Sequence, residues 1–395
     1  MQSDYARLAK AIGDQRLPVA LVDLDAFDAN TTLIAGLANG KPLRVATKSV
    51  RCPALLDRIR ELGGSSFRGL MTYTATETEF LATRGESDLL LAYPTMQPSD
   101  AAILARLNAA KTRARVVADD VAQVETLAVA ARGANTEIPI VIEVDMAFRP
   151  LGGAHLGVRR SPLRTPDDVL ALARRIRDTS GTTFAGVMGY EAQIAGLADF
   201  DGTITAPLKR AMKRRSALEI AERRSAIAHA LLADGFTIEI FNGGGTGSLR
   251  SSVREDTLTE ITAGSGFLDS HLFDLYEGIS LRPAIYFALQ VVRRASETIA
   301  TCAGGGYIAS GGAGKSRLPI PTLPLGLRLL DLEGAGEVQT PLLGARDLRL
   351  GDPVFFRHAK AGELAEHFDE YVLVRGDCVV ERVKTYRGLG HCFLG

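Results

Sequence analysis

The sequence predicts an α/β protein: a (β/α)8 TIM barrel followed by a C-terminal all-β domain. Three observations predict it. Eight short apolar runs follow one another with amphipathic stretches between them, the alternation expected of a parallel sheet with helical crossovers. Most of the runs are near-continuously apolar, as strands buried on both faces must be. Beyond about residue 273 helical periodicity stops, glycine and proline become frequent, and short alternating runs take over.

The eight strand candidates span residues 43–47, 67–72, 88–92, 114–118, 138–144, 184–190, 237–241 and 258–262. Amphipathic helical stretches occupy residues 53–62, 74–83, 100–108, 121–131, 166–177 and 208–232. Eight repeats suggest closure into a barrel. A further strand-like run, 19–24, precedes the first unit and leads into a helix near 26–38, with Asp25 as its N-cap. The second-domain runs lie at 284–292, 327–330, 353–356, 371–374 and 379–383. The chain therefore divides into a lead segment (1–24), whose strand could join either part, a barrel (25–273) and a C-terminal β domain (274–395).

Forty-six basic residues balance forty-six acidic ones in 395, so no nucleic-acid or membrane-surface partner is indicated. No apolar run approaches the length needed to cross a bilayer. The opening MQSDYARLAKAIGDQRLP is polar and mixed in charge, unlike a signal peptide. Four scattered cysteines without a CxxC pair fit a reduced cytoplasmic protein.

In a barrel the loops after the strands share one face, so their residues can be read together. Lys48 follows strand one. An amine at a barrel mouth can form a Schiff base with an aldehyde, whereas a lysine at a strand end is otherwise simply solvated. Arg149 lies beyond strand five, Tyr190 ends strand six, and Glu191 and Gln193 follow it. After strand seven comes Asn242 and a glycine-rich loop with Gly244, Gly245 and Thr246; after strand eight come Gly264, Ser265 and Gly266. Barrels commonly bind phosphate at these two loops, where glycines admit backbone N–H groups and hydroxyls add donors. A phosphate site, an amine and a strand-end aromatic together suggest pyridoxal 5′-phosphate. Lys48 would hold its aldehyde, Tyr190 would cover its ring and Arg149 would reach its phenolic oxygen. The plainer alternatives are a core tyrosine and a surface ion pair.

The stretch from Gly311 to Ser316 imitates a nucleotide-binding P-loop. That motif needs glycine where Ala309 stands, and a helix where Pro319 and Pro321 follow. It is read as a loop of the β domain.

From about Leu17 to Gly388 the chain resembles the fold-type III pyridoxal-phosphate enzymes, with an alanine-racemase-like N-terminal barrel. Within them it is most similar to the D-threonine aldolase and D-serine dehydratase family. The segments that carry the resemblance are LPVALVDLDAFDAN, LRVATK, DLLLAYPT, EVDMAFRPLGGAHLGV, VMGYEAQ, FNGGGTGS and VFFRHAKAGELAEHFDEYVLVRGDCVVERVKTYRG. The resemblance implies that Lys48 is the Schiff-base lysine, Arg149 the arginine after strand five and Tyr190 the aromatic against the pyridine ring. It places the phosphate on Gly244, Gly245 and Thr246 and on Gly264, Ser265 and Gly266. It further implies that the lead strand 19–24 joins the β domain, that the substrate is a small amino acid and that the protein is a homodimer.

The departures are specific. Ala46 and Val50 stand where the family has histidines around the lysine, and Ala192-Gln193 replaces a Gly-His pair. The family's C-terminal metal pair is His-x-Cys or His-x-Asp, and here the tail reads His358-Ala359-Lys360. An ammonium has no lone pair for a cation and repels it, so the metal site is expected to be lost, with Lys360 supplying fixed charge instead. The adjacent His391 and Cys392 are a rival pair, poorly spaced for one metal. The resemblance therefore implies a lyase acting on a β-hydroxy amino acid of D configuration. His358 is expected as base and Lys360 as the group holding the hydroxyl. Aldol cleavage is slightly preferred over D-serine-type dehydration. An amino-acid racemase using Tyr276 or Tyr307, or a non-catalytic pyridoxal-phosphate-binding protein, are the remaining alternatives.

Overall fold

The computed structural model describes residues 2–150, 154–200, 202–276 and 278–394. Residues 151–153, inside one of the segments quoted above, lie outside the described residues.

Eight parallel strands close a barrel: Leu43–Ala46, Phe67–Thr72, Asp88–Leu91, Arg113–Ala118, Ile138–Glu143, Thr182–Met188, Ile240–Gly243 and Glu260–Ala263. The last strand pairs with the first, with Leu43 opposite Ile261, so no edge is left. Helices Pro53–Gly63, Ala75–Thr83, Pro98–Ala109, Val121–Gly133, Pro166–Asp178 and the 28-residue Ala206–Ala233 connect the strands. The barrel's interior is filled in two ways. Leu90, Val117, Val141, Ala185 and Met188 form an apolar plug. Below it Arg44 donates to both oxygens of Glu260 (2.7 and 2.8 Å), and Asp88 pairs with Arg44 (2.9 Å) and Arg115 (2.8 Å). Asp88 and Glu260 open their strands, so these charges close the N-terminal end, away from the loops where barrel chemistry sits.

The second sheet has nine strands. Its order is Arg328–Leu329, Gln339–Leu343, Ile299–Ala303, Ile285–Arg294, Val19–Asp23, Glu370–Arg375 and Cys378–Lys384, with Pro353–Arg357 also on Ile285–Arg294 and carrying Ile320–Leu323. The lead strand Val19–Asp23 is central in this sheet. It runs antiparallel to Ile285–Arg294 (Val19 opposite Ala288) and parallel to Glu370–Arg375 (Leu21 opposite Val372), and all five residues are buried. Ile299–Ala303, Ile320–Leu323 and Gln339–Leu343 were not expected from the sequence. They are short, and threonine, glutamine and proline interrupt their apolar pattern.

The helix after the lead strand corrects one expectation. It spans Leu24–Leu37, and its N-cap is Asp23, whose carboxylate accepts from the Asp25 amide at 3.1 Å. Asp23 is still extended while Leu24 is already helical, so the cap falls two residues earlier than expected. Asp25 instead accepts from the Arg375 guanidinium at 3.0 Å. Among the described residues no helix is long and apolar enough to cross a membrane.

Candidate active site

The first barrel strand runs directly into a single 3-10 turn, Thr47–Ser49, that carries Lys48 out over the barrel mouth. The turn is fixed from several sides. Thr47 Oγ1 donates to the Met71 carbonyl at 2.9 Å. Arg51 Nε donates to the Lys48 carbonyl at 3.0 Å, and its Nη1 reaches Glu366 of the sheet domain at 2.5 Å. Arg51 holds φ at +50°, a conformation that side chains rarely adopt, and its carbonyl accepts from Tyr386 N at 2.9 Å. A Cβ at Gly362 would stand 2.1 Å from the Lys48 carbonyl oxygen, so only glycine lets the sheet domain press onto the lysine turn. The Lys48 side chain is itself exposed, and Nζ lies 2.7 Å from the Tyr93 hydroxyl.

Two adjacent cavities share Lys48, Ser49, Ser265 and Phe273. The inner chamber, about 100 Å³, is lined by Tyr93, Arg160, Tyr190, Asn242 and both glycine loops. A simple register explains the lining. Lys48, Tyr93, Tyr190, Gly245 and Ser265 each stand two residues beyond the end of a barrel strand. Tyr190 packs on the strand-seven loop: a Cβ at Gly245 would stand 3.0 Å from its Cε2. Burial, with Glu191 adding to it, pushes its hydroxyl up to about 12, so it stays protonated. At Gly264 a Cβ would meet Ser49 Oγ at 2.8 Å and Ala46 Cβ at 2.9 Å. Gly266 N donates to Thr246 Oγ1 at 3.0 Å, tying the two loops together. Asn242 donates to Glu260 at 2.8 Å and to Thr262 at 2.9 Å, which fixes its side chain at the chamber floor.

Three expected residues do not line the chamber: Gly266, whose amide is taken by Thr246, and Arg149 and Gln193. Arg149 is exposed, pairs with Asp145 at 2.6 Å and does not line the chamber; Arg160 does, with its guanidinium 5.8 Å from the Tyr190 ring centroid. Gln193 is buried, donating to the Met146 carbonyl at 2.6 Å and to Ser216 at 2.9 Å, and it supports the loops from behind.

The outer cavity, about 350 Å³, lies between the barrel mouth and the sheet domain. Lys48, Arg51, Arg317, Lys360 and Glu363 line it, with Tyr276 at one wall. Lys360 Nζ is held by Ser310 Oγ at 2.6 Å and by Glu363 at 3.1 Å, and Ser310 N donates to Glu363 at 2.8 Å. Burial pushes the Glu363 carboxyl up, but the bonds from Ser310 and Lys360 outweigh it and hold it below the usual carboxylate range. Arg317 Nε is buried without a partner.

His358 does not line either cavity. It is 1% exposed, with Nδ1 3.0 Å from the Lys360 amide nitrogen and 2.6 Å from its carbonyl oxygen. Burial depresses its pKa to about 4, so the ring is neutral, and Nε2 has no partner. Of the two tyrosines considered for racemisation, Tyr276 lines the outer cavity, while Tyr307 packs among Phe287, Phe368 and His367. His391 packs against Phe80 and Phe393. Among the described residues no group of three or more His, Cys, Asp or Glu is arranged to hold a metal ion. The imitation P-loop is a loop in which Lys315 pairs with Asp331 at 2.6 Å.

The model of the alanine racemase N-terminal domain matches residues 22–240. The chain belongs to that family. The match covers the barrel as far as strand seven and stops short of both glycine loops and of the His358–Lys360 tail. Among curated proteins, the 3-hydroxy-D-aspartate aldolase of Paracoccus denitrificans (strain Pd 1222) is 27% identical over 259 residues, 64% of this chain and 60% of that protein. The D-threonine aldolase of an Arthrobacter species is 28% identical over 255 residues, 64% of this chain and 61% of that protein. The matched part thus spans about three fifths of each relative's length. The crystal structure of D-threonine aldolase from Filomicrobium marinum superposes with a TM-score of 0.80 at 22% identity, over 95% of this chain and 96% of that one. D-threo-3-hydroxyaspartate dehydratase from Delftia sp. HT23 gives 0.74 at 20% identity, over 95% and 98%. At those identities the two structures speak for the fold.

The cofactor of this alanine-racemase-like family is pyridoxal 5′-phosphate, and the residues present fit it. An exposed amine, a half-buried protonated tyrosine and two glycine loops joined by the Thr246–Gly266 bond face one chamber.

Proposed function

We propose that the protein is a pyridoxal-phosphate-dependent lyase that cleaves a β-hydroxy amino acid of D configuration in the aldolase manner, without a metal ion. The observation that carries this reading is that Lys48 and Lys360 line one cavity, so the substrate of a cofactor held by the first would lie before the second. When bound, the cofactor serves as the electron sink for the carbanion left at Cα. The phosphate is assigned to the loops of Gly244, Gly245 and Thr246 and of Gly264, Ser265 and Gly266. Tyr190 would flank the ring, and Arg160 would take the place expected of Arg149.

The chain's own residues account for the remaining needs of the reaction. Cleavage requires that the β-hydroxyl proton leave while the oxygen stays held. The Lys360 ammonium supplies a fixed positive charge and a donor for that oxygen. Glu363, ionised and 3.1 Å from Lys360 Nζ, is the proton acceptor. His358, neutral and off the cavity wall, shapes the turn that presents Lys360, in place of the base expected of it.

The β-substituent is proposed to be acidic. Arg51, Arg317 and Lys360 line the cavity beyond Lys48 against a single carboxylate, Glu363. This matches the 3-hydroxy-D-aspartate named for one relative better than the D-threonine named for the other. A second copy of the chain is proposed to cover the groove lined by Leu33, Leu37, Phe200 and Ile279, where Phe200 is 62% exposed.

The test is incubation of the holoenzyme with 3-hydroxy-D-aspartate, D-threonine and D-serine, with assays for aldehyde, glycine, keto acid and ammonia. Glycine and an aldehyde in equal amounts are expected, fastest from the acidic substrate. Keto acid and ammonia would make it a dehydratase instead. No product from any of the three would remove the lyase reading.

A further inference from the structure

A charge cluster centred on a buried ion pair lies directly behind the chamber, and neither the reaction nor the cofactor contacts use it. Glu191, one residue beyond Tyr190, is 1% exposed and its carboxylate accepts four hydrogen bonds. Arg224 Nη2 donates at 2.5 Å and Gly244 N at 3.2 Å to one oxygen; Ser248 Oγ at 2.7 Å and Ser252 Oγ at 2.5 Å donate to the other. Arg224, fully buried on the long helix Ala206–Ala233, also donates to the Gly189 carbonyl at 2.6 Å and to both oxygens of Glu255 at 2.7 and 2.9 Å. Its guanidinium leaves no room beside strand seven: a Cβ at Gly243 would stand 2.6 Å from Nη2.

Burying such a pair is not a route to stability. The desolvation of two charges roughly cancels their attraction, and well-packed apolar residues would serve the fold as well or better. What the pair does supply is position. The donors to Glu191 come from the strand-seven loop (Gly244), the turn Thr246–Ser248, the helix Leu249–Ser252 and the long helix, while Glu191 itself belongs to the strand-six loop. Ser248 Oγ in turn accepts from Gly245 N at 3.0 Å, so the carboxylate reaches the middle of the glycine loop through one hydroxyl.

We infer that Glu191, with Arg224 as its counter-ion, is a positioning residue for the cofactor: it locks the strand-seven phosphate loop at a set distance from Tyr190. This rests on the pyridoxal-phosphate reading of the chamber. The Gly244 and Gly245 amides are engaged by Glu191 and Ser248, so these two residues shape the cradle by their backbone path, and Glu191 defines that path. Because Glu191 lines neither cavity, its effect should appear in cofactor binding and not in substrate binding.

The experiment compares wild-type holoenzyme with Glu191→Gln and Ser252→Ala. Cofactor affinity is read from the visible band during titration of the apoprotein. The phosphate environment is read from the ³¹P chemical shift and linewidth, and substrate binding from KM at saturating cofactor. The Gln variant keeps the shape but loses the charge that Arg224 and three neutral donors share. Its cofactor affinity should fall by about 10- to 100-fold, with a shifted and broadened ³¹P line and KM unchanged. Ser252→Ala removes one donor to Glu191 without touching the glycine loop, and should weaken binding by about three- to tenfold. It decides the matter if the Gln variant does not fold. Unchanged affinity and an unchanged ³¹P line in a folded Gln variant, or in Ser252→Ala where the former is unfolded, would overturn the inference. If wild type gives no visible band with the cofactor, the cofactor reading fails and the positioning role falls with it.

Discussion

Replacing Lys360 with methionine separates the chemistry proposed here from the architecture around it. The ammonium is two-fifths exposed and makes two polar contacts, to Ser310 at 2.6 Å and Glu363 at 3.1 Å. Its removal leaves Glu363 still bonded to the amide and hydroxyl of Ser310. The stability lost should therefore be that of a part-exposed ion pair, about 1 kcal/mol or less. The activity lost should be far larger. A preorganised donor facing an oxygen that gains charge in the transition state is worth about 3–4 kcal/mol, a fall in kcat of roughly 10²- to 10³-fold. The visible cofactor band should not change, since Lys360 does not line the inner chamber. The assay is aldehyde release at saturating substrate, beside a thermal melt and a visible spectrum of the same preparation. Chelator should leave wild-type turnover intact, and zinc should not restore the variant. A Lys360→Met enzyme within about threefold of wild type, with its melt preserved, would refute the idea that this ammonium replaces a metal. Loss of wild-type activity to chelator, restored by zinc, would refute it from the other side.

Lys48→Ala should abolish the visible band while leaving the melt intact, and a retained band would place the cofactor on another amine. Gly264→Ala sets a Cβ 2.8 Å from Ser49 Oγ and 2.9 Å from Ala46 Cβ, both beside Lys48. Overpacking of that kind costs about 1–3 kcal/mol, read as a roughly 5- to 150-fold weaker cofactor titration; unchanged affinity would place the phosphate elsewhere. His358 has a folded pKa of about 4 against an ordinary 6.5, so its neutral form belongs to the fold. Its contribution is complete above about pH 6.5 and is lost as pH falls toward 4. Between pH 7.5 and 5, wild type should lose on the order of 2 kcal/mol more than His358→Gln in denaturant titrations. Glu143 and Asp269, each held up to about 7 chiefly by burial, act in the opposite sense in both proteins, so the difference isolates the histidine. Arg160→Met should weaken cofactor binding and shift the band, whereas Arg149→Met should do neither; the reverse result would restore the expected assignment.

The barrel was legible because its signal is local. Near-continuous apolar runs mark strands buried on both faces, and each observed strand lies within a few residues of the run that predicted it. The strand-end residues were legible for the same reason, and the register of two residues past each strand would have added Tyr93. What could not be read was the path of a loop. Arg149 and Arg160 flank one connection, and which of them returns to the mouth depends on that path. Asp145 captures Arg149 at 2.6 Å. His358 misled in another way. A histidine aligned with a metal ligand invites a chemical role, but the tail turns at Lys360 and leaves the imidazole on the buried side. Glu363, three residues on, carried no motif of its own. Its importance comes from Ser310, more than fifty residues earlier in the chain.

The substrate side of the site is built by contact between the two parts of the chain. Lys48 belongs to the barrel, while Lys360, Glu363 and Arg317 belong to the sheet domain, and the join is made at the lysine turn itself. Gly362 packs on the Lys48 carbonyl, and Arg51 bridges that carbonyl to Glu366. Arg51 accepts a left-handed backbone that costs about 1–2 kcal/mol to bring its guanidinium there. Strain at a residue that links the lysine to the opposing wall has a clear use: it fixes the spacing of two amines by short covalent paths and one bidentate side chain. The barrel, matched by its family over residues 22–240, supplies the lysine and the cofactor chamber. On the proposed reading, the sheet domain would then decide what meets the substrate's β-carbon. On the same reading, a lysine at position 360 would alter what the reaction needs without disturbing the cofactor's seat.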